Sequence, residues 1–277
     1  MMSYRIPLGQ WIAEGIDVLT KHFSNATRAI SDSTEKAIDW VVDALMWIPE
    51  WAFIIIVAVI AWRLKGWRFA LTSVLGLALI WNLELWYPMI ETLTLVFFAT
   101  LSSIVLALPI GIAAALSKTC HRIVMPILDF MQTMPAFVYL IPAIPFFGLG
   151  PVAAIFATVI FAMPPAIRFT TLGIRQVPTE LIEASDAFGA SPSQKLFKVQ
   201  LPLAVPTIMA GINQTIMLSL SMVVISAMIG AGGLGGEVWS AINNMDMASG
   251  FESGIAVVIL AMILDRITQA LGKGRDE

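Results

Sequence analysis

The sequence has little that could perform catalysis or bind a metal ion. Among its 277 residues there are one cysteine, Cys120, and two histidines, His22 and His121. A single cysteine excludes an internal disulfide and a multi-cysteine metal site. Neither HExxH nor GxSxG occurs, so the signatures of zinc proteases and of serine hydrolases are missing. We therefore expect no enzymatic activity and no metal site in this chain.

Charge is also scarce, and apolar residues dominate. Charged residues make up 13% of the chain and hydrophobic residues 58%, a composition outside the range of soluble globular proteins. Several apolar runs approach or exceed the roughly 20 residues that a helix needs to cross a bilayer. The first forty residues lack a continuous apolar core, so no secretory signal peptide is expected. We predict an all-α polytopic membrane bundle of about seven spans: residues 47–62, 68–86, 89–116, 123–147, 151–167, 203–229 and 254–271.

Lysine and arginine are missing from alternate loops. The connections around residues 87–88, 148–150 and 230–253 contain neither, whereas every other connection does. Because basic residues are retained on the cytoplasmic side, this pattern predicts a cytoplasmic C-terminus and an external N-terminus. The cations on the predicted cytoplasmic side are Arg63, Lys65, Arg68, Lys118, Arg122, Arg168, Arg175, Lys195, Lys198, Arg266, Lys273 and Arg275.

Residues 1–45 form a separate region before the first span. Apolar residues here recur near helical spacing with charged residues between them, which predicts an amphipathic helix on the outer membrane face. Residues 31–45 are a second helix candidate. The region is either a scaffold or partner contact, or a passive surface helix. The apolar positions are Trp11, Ile12, Ile16, Val18, Leu19 and Phe23.

A soluble-looking helical elbow interrupts the apolar spans at residues 179–202. Thr179 is expected to cap a first short helix, and Gly189 to end it, since glycine adopts a left-handed conformation readily. Ser191 then offers a second N-cap, with Pro192 at the first helical position and Gln194 completing a capping box. We expect the next segment to begin at Pro202.

The elbow resembles the EAA loop of ATP-binding-cassette (ABC) importer permeases. That pattern is Glu-Ala-(Ala/Ser), a Gly five residues after the Ala, and an apolar run into Leu-Pro; this chain has Ser at the third position. The resemblance implies a coupling helix that contacts a separate ATPase subunit. The alternative is an ordinary linker between two spans. The residues assigned to coupling are Glu183, Ala184, Ser185, Gly189, Ser191, Pro192, Phe197, Leu201 and Pro202.

The glycine-rich run at residues 230–236 does not fit a nucleotide site. A phosphate-binding loop needs a Lys and a Ser or Thr after its last glycine, and here Glu237 and Val238 follow. We expect no cofactor on this chain, with ATP and Mg²⁺ on the partner ATPase. The run is either a flexible external loop near the point of substrate entry or a simple turn between spans.

Polar residues within predicted spans are candidates for a translocation pathway, because each costs free energy in lipid unless it is satisfied. Asp129, Gln132 and Thr133 lie in the fourth predicted span, and Pro135 breaks its backbone hydrogen bonding. Asn213, in the sixth predicted span, either lines the pathway or packs helices together.

A closer resemblance concerns residues 128–142, LDFMQTMPAFVYLIP, and the opening IPLGQWI. Both are similar to the permeases of importers for quaternary-ammonium osmoprotectants. The resemblance implies inward transport of glycine betaine, proline betaine, choline or proline by alternating access. It implies a homodimer of this chain, two ATPase subunits, an external substrate-binding protein and no nucleic acid. A secondary transporter, or another polytopic protein not coupled to ATP, remains the alternative.

The same resemblance divides the chain into three parts. Residues 1–45 are the external region, residues 46–88 two peripheral spans, and residues 89–277 a five-helix core of the type I importer class. The coupling loop lies at about residues 168–202 of that core.

Overall fold

The computed structural model describes residues 7–272, except for the side chains of Leu8 and Leu271. Lys273, Arg275 and the first residue of the IPLGQWI motif lie outside this range. Within it the regular elements are helical, with short 3₁₀ and π-helical turns between some of them. The α-helices are α1 Leu8–Met46, α2 Glu50–Lys65, α3 Trp67–Asn82, α4 Trp86–Leu116, α5 Lys118–Thr133, α6 Leu140–Phe147, α7 Pro151–Arg175, α8 Thr179–Ala187, α9 Pro192–Lys195, α10 Leu201–Ile225, α11 Gly233–Asn243 and α12 Met247–Gly272.

Helices α4, α7 and α10 pack closely at the centre of the bundle. Small residues allow the approach: a Cβ on Gly211 of α10 would lie 2.6 Å from Cβ of Phe169 on α7. The hydroxyl of Thr171 donates to the carbonyl of Gly111 on α4 at 3.0 Å. Small side chains and interhelical hydrogen bonds are the usual means of packing helices in membranes, where hydrophobicity does not drive association.

The loops with cations and the loops without them lie at opposite ends of the bundle. At one end the guanidinium of Arg175 donates to the carbonyls of Ala114 and Ala115, in the last turn of α4. At the other end the amide of Gly150 donates to the carbonyl of Ile229 at 2.9 Å. This two-ended arrangement agrees with the predicted alternation of Lys and Arg along the chain.

Each predicted span coincides with a helix or a bent pair of helices. By length and composition, four helices within residues 7–272 could cross a membrane alone: 86–116, 151–175, 192–229 and 247–270. Two further candidates are bent pairs, which raises the number to six, one fewer than the seven predicted. The helix at the second predicted span, α3, is in neither group. Helices α2 and α3 have 16 residues each, about 24 Å, which is shorter than the hydrocarbon core of about 30 Å. They form a hairpin that packs against α12.

The N-terminal region is one helix rather than two. Residues 8–46 are continuous, so the expected separation between a first helix and a candidate at 31–45 is wrong. The axis of α1 bends by 93° from that of α2. Ile38 and Val42 are buried in the main core, whereas Trp11, Ile12 and Val18 are exposed. Only the C-terminal part of α1 is therefore fixed by packing within the chain.

The fourth predicted span is broken. Helices α5 and α6, with a 3₁₀ turn between them, meet at an angle of 112°. Met134 has an extended backbone, because the ring of Pro135 disfavours a helical conformation in the preceding residue. The hydroxyl of Tyr139 donates to the carbonyl of Met131 across the bend. In a continuous helix the carbonyl of Met131 would accept from the amide of residue 135, but proline has no amide hydrogen. The Tyr139 hydroxyl supplies a donor for this carbonyl instead.

Residues 233–236 of the glycine-rich run are helical, so neither of the two interpretations of the sequence, a flexible loop or a simple turn between spans, describes the whole run. Gly233 begins helix α11, and its amide donates to the carboxylate of Glu91 at 2.6 Å. The next amide, that of Leu234, donates to the hydroxyl of Thr92 at 2.8 Å. Side chains of α4 therefore cap a helix that is distant in sequence.

Candidate functional site

The first arm of the elbow, α8, ends as predicted at Gly189. This residue has a φ of +73°. The amide of Gly189 donates to the carbonyl of Asp186 at 2.9 Å, and that of Ala190 to the carbonyl of Ser185 at 3.0 Å. These two hydrogen bonds define a Schellman motif, in which the left-handed residue satisfies the last carbonyls of the helix and turns the chain sharply.

The second arm, α9, begins with the predicted capping box. The hydroxyl of Ser191 accepts from the amide of Gln194 at 3.3 Å, and the Gln194 side chain accepts from the amide of Ser191 at 2.9 Å. Pro192 occupies the first helical position. The cap expected for α8 is wrong, however: Pro178 precedes the helix, Thr179 is its first residue, and its side chain makes no capping hydrogen bond.

The elbow is continuous with the membrane helix that follows it. A π-helical turn, Leu196–Gln200, joins α9 directly to α10, so Pro202 lies inside a helix and does not begin a new segment. The wider turn precedes a proline that has no amide hydrogen to donate. Leu196 is buried against Ile174 and Ala204. The second arm of the elbow is therefore continuous with α10, and Leu196 packs this junction against α7.

The rest of the elbow faces outward. No residue of α8 is buried. Phe188, at the tip, has 92% of its surface exposed, and Phe197 has 64%. The Nζ of Lys195 lies 2.6 Å from Oδ1 of Asp186, so an ion pair joins the two arms. Of the nine predicted coupling residues, Ser185 and Leu201 are half-buried and the other seven are exposed.

Four of the five predicted pathway residues lie together at the broken helix. Asp129, Gln132 and Thr133 are in the last two turns of α5, Pro135 lies in the bend, and all four are exposed. Asp129 accepts a hydrogen bond from the guanidinium of Arg168. This ion pair links the C-terminal half of α5 to α7.

Asn213 is not part of this group. Its amide nitrogen donates to Oδ1 of Asp265 on α12 at 3.1 Å, and its oxygen accepts from the hydroxyl of Thr268. Gln269 donates to both carboxylate oxygens of Asp265 at 2.7 Å. Within the described residues, the contacts of Asn213 are those of a side chain that packs α10 against α12.

Several residues of the elbow and of the broken helix were not predicted from the sequence. Asp186 and Lys195 are opposite charges on either side of the Gly189 turn, a pattern that could have indicated the ion pair. Phe188 is an aromatic residue in an otherwise polar segment, which could have indicated a contact surface. Nothing local links Arg168 to Asp129, because 39 positions separate them.

Comparison with known proteins identifies the family. The model of the family described as "Binding-protein-dependent transport system inner membrane component" matches residues 107–276. The chain is 52% identical to the glycine betaine/carnitine transport permease protein GbuB of Listeria monocytogenes, over 97% of this chain and 96% of that one. It is 52% identical to the glycine betaine transport system permease protein OpuAB of Bacillus subtilis, over 96% and 94%.

A third relative is the glycine betaine/proline betaine transport system permease protein ProW of Escherichia coli. It is 48% identical over 97% of this chain and 76% of its own length. Among solved structures, an inward-facing conformation of the MetNI methionine ABC transporter matches with a TM-score of 0.62 and 26% identity. That match covers 66% of this chain and 92% of the other. The chain therefore belongs to the binding-protein-dependent inner membrane components, a family of multi-pass permease subunits of ABC importers.

Proposed function

We propose that this permease moves a quaternary-ammonium compatible solute into the cell: glycine betaine, proline betaine or choline, with proline as a further candidate. Three relatives at 48–52% identity are named for glycine betaine transport, and their matches extend over nearly the whole of this chain. The chain is proposed to act as a gated passage and not as an enzyme.

The exposed elbow is the observation that supports coupling to a separate ATPase. Both of its arms are held by local capping, Lys195 is paired with Asp186, and Leu196 anchors the elbow to the bundle. An apolar tip outside the membrane helices, such as Phe188, is typical of a protein contact. We propose that each of two ATPase subunits binds one elbow, and that ATP and Mg²⁺ are bound there and not by this chain.

The proposed assembly contains two copies of this chain and an external substrate-binding protein. Closure of the ATPase pair would move both elbows and hence both α10 helices, which alternates access between the two sides. The exposed polar bend at Gln132 and Thr133 would face the passage between the copies. Native mass spectrometry of the purified complex should give two permeases with two ATPases, and a single permease copy would contradict the homodimer.

The test is ATP-driven uptake into proteoliposomes that contain the complete purified complex. We expect uptake of at least one betaine from a panel that includes all four solutes. Uptake that follows an ion gradient and proceeds without ATP would contradict the coupling. ATP-dependent uptake of a solute outside the panel would contradict only the substrate class.

The orientation can be tested by labelling single cysteines with a membrane-impermeant reagent in intact cells, on a Cys120→Ser background. We predict that Met245→Cys is labelled and Lys198→Cys is not, because Lys and Arg accumulate at the end of the bundle that carries Lys198. Met245 is 90% exposed, so its reactivity reports the side of the membrane and not burial. The reverse labelling pattern would overturn the proposed topology.

The role of the broken helix can be tested with Gln132→Leu. We expect uptake to fall by roughly 10-fold or more, since a bound polar contact to a charged solute contributes on the order of 1.5–3 kcal/mol, while the ATPase still copurifies. Asn82→Leu, a substitution of an exposed polar residue at the end of α3, is the control and should leave uptake unchanged. Wild-type uptake by Gln132→Leu would remove this residue from the pathway.

A further inference from the structure

A groove between the α2–α3 hairpin and α12 combines three cations with an apolar floor. It has a volume of about 460 Å³. Lys65 from the end of α2, Arg68 from the start of α3 and Arg266 from α12 line it together. The turn at Gly66 brings the first two side chains into one place, and all three are exposed.

The lining changes from charged to apolar along the helices. On α3 it continues from Arg68 to Gly76, and on α12 from Arg266 back to Ile259. Each of these two stretches is about two helical turns, which corresponds to about 11–12 Å along the helix axis. A Cβ on Gly76 would lie 2.6 Å from the side chain of Ile259, so the two helices meet there and close the floor of the groove. Cations at the end of the helices and apolar surface deeper in the bundle match a headgroup followed by acyl chains.

The cations are available to a ligand. Neither ion pair found within residues 7–272 includes Lys65, Arg68 or Arg266. The guanidinium of Arg68 lies 5.8 Å from the ring centroid of Trp67, an aromatic contact that leaves its hydrogen-bond donors free to bind an anion. Three cations around one groove produce a positive local potential that favours binding of an anion.

We propose that this groove binds an anionic phospholipid, with the phosphate on Lys65, Arg68 and Arg266 and an acyl chain along Met262 and Ile259. Basic pockets between membrane helices are suited to lipid headgroups. The apolar half of the groove distinguishes this ligand from a free inorganic anion, which would gain nothing from it. The bound lipid would fill the space between α12 and the peripheral hairpin and hold the two together.

The test uses the purified full chain and native mass spectrometry, with phosphatidylglycerol and phosphatidylcholine offered in equal amounts. We expect wild type to retain phosphatidylglycerol preferentially. Each cation near an anionic headgroup contributes on the order of five-fold in binding, so the triple variant Lys65→Gln, Arg68→Gln, Arg266→Gln should lose about 100-fold. If the triple variant cannot be purified, Arg68→Gln and Arg266→Gln alone should each lose about five-fold.

Two variants serve as controls. Arg63→Gln, Lys118→Gln, Arg122→Gln removes three exposed cations that do not line the groove, and it should retain the lipid. Lys65→Arg, Arg68→Lys, Arg266→Lys keeps the charge and should retain it as well. Equal retention of phosphatidylcholine by wild type, or undiminished phosphatidylglycerol on the triple glutamine variant, would overturn the proposal. Displacement of the lipid by millimolar inorganic phosphate would assign the site to a free anion instead.

Discussion

Replacing Gly189 with valine should abolish transport while the protein still inserts into the membrane. Gly189 has a φ of +73°, and no heavy atom lies within 4 Å of a Cβ placed on it. The effect is therefore one of backbone conformation and not of crowding. A left-handed backbone conformation costs an L-residue roughly 1–2 kcal/mol, and it is especially unfavourable for a β-branched residue such as valine. The Schellman turn would open, and α9 would point away from its proposed ATPase contact.

The measurement is copurification of the ATPase together with its substrate-stimulated hydrolysis rate. Gly189→Asn is the matched control, because asparagine tolerates positive φ, and it should retain most of the stimulation. Normal copurification and stimulation in Gly189→Val would show that the elbow is not the coupling element. An ion-driven transporter would then become the better hypothesis for the mechanism.

Replacing Gly235 with alanine should destabilise the packing of α11 on α10. A Cβ at this position would lie 2.7 Å from the carbonyl oxygen of Val224 and 2.8 Å from its Cα. Both are backbone atoms, so no side-chain rotation can relieve the clash and one helix must shift. Overpacking of this kind costs about 1–3 kcal/mol. Thermal unfolding of the purified chain, followed by tryptophan fluorescence, should have a clearly lower midpoint.

The neighbouring glycine provides the control for this experiment. A Cβ on Gly236 would have no heavy atom within 4 Å. Gly236→Ala should leave the midpoint unchanged or raise it, since alanine favours a helix over glycine by up to about 1 kcal/mol. Equal midpoints for the two variants would mean that α11 does not lie this close to α10.

The parts of the elbow that the sequence predicted correctly depend on short-range interactions. The Ser191–Gln194 capping box and the Gly189 turn involve residues within six positions of one another, so their geometry is local. The Thr179 cap failed for a local reason too: a proline directly before the helix took the N-cap position. The start of a new segment at Pro202 failed because a π-helical turn allows a helix to pass a proline.

The break between α5 and α6 was predicted only in part. Pro135 predicted a break in the hydrogen bonding, because a proline has no amide hydrogen and restricts the residue before it. The bend of 112° and the contact of Asp129 with Arg168 could not be predicted in this way. Both depend on how α5 lies against α7, and the residues that set this packing are far from the proline in the chain.

By itself, the sequence determined that this is a helical membrane protein with two differently charged ends. Apolar run length and the distribution of Lys and Arg follow from single-residue transfer free energies, which need no knowledge of packing. Only the tertiary structure decided which distant groups meet. Glu91 and Thr92 cap a helix 142 positions away, Asn213 bonds to Asp265 across 52 positions, and Lys65, Arg68 and Arg266 share one groove. The physical reason is that a helix end can bind many hydrogen-bond partners and a cation can lie near many different groups. The packing of the helices decides which of these partners is close enough.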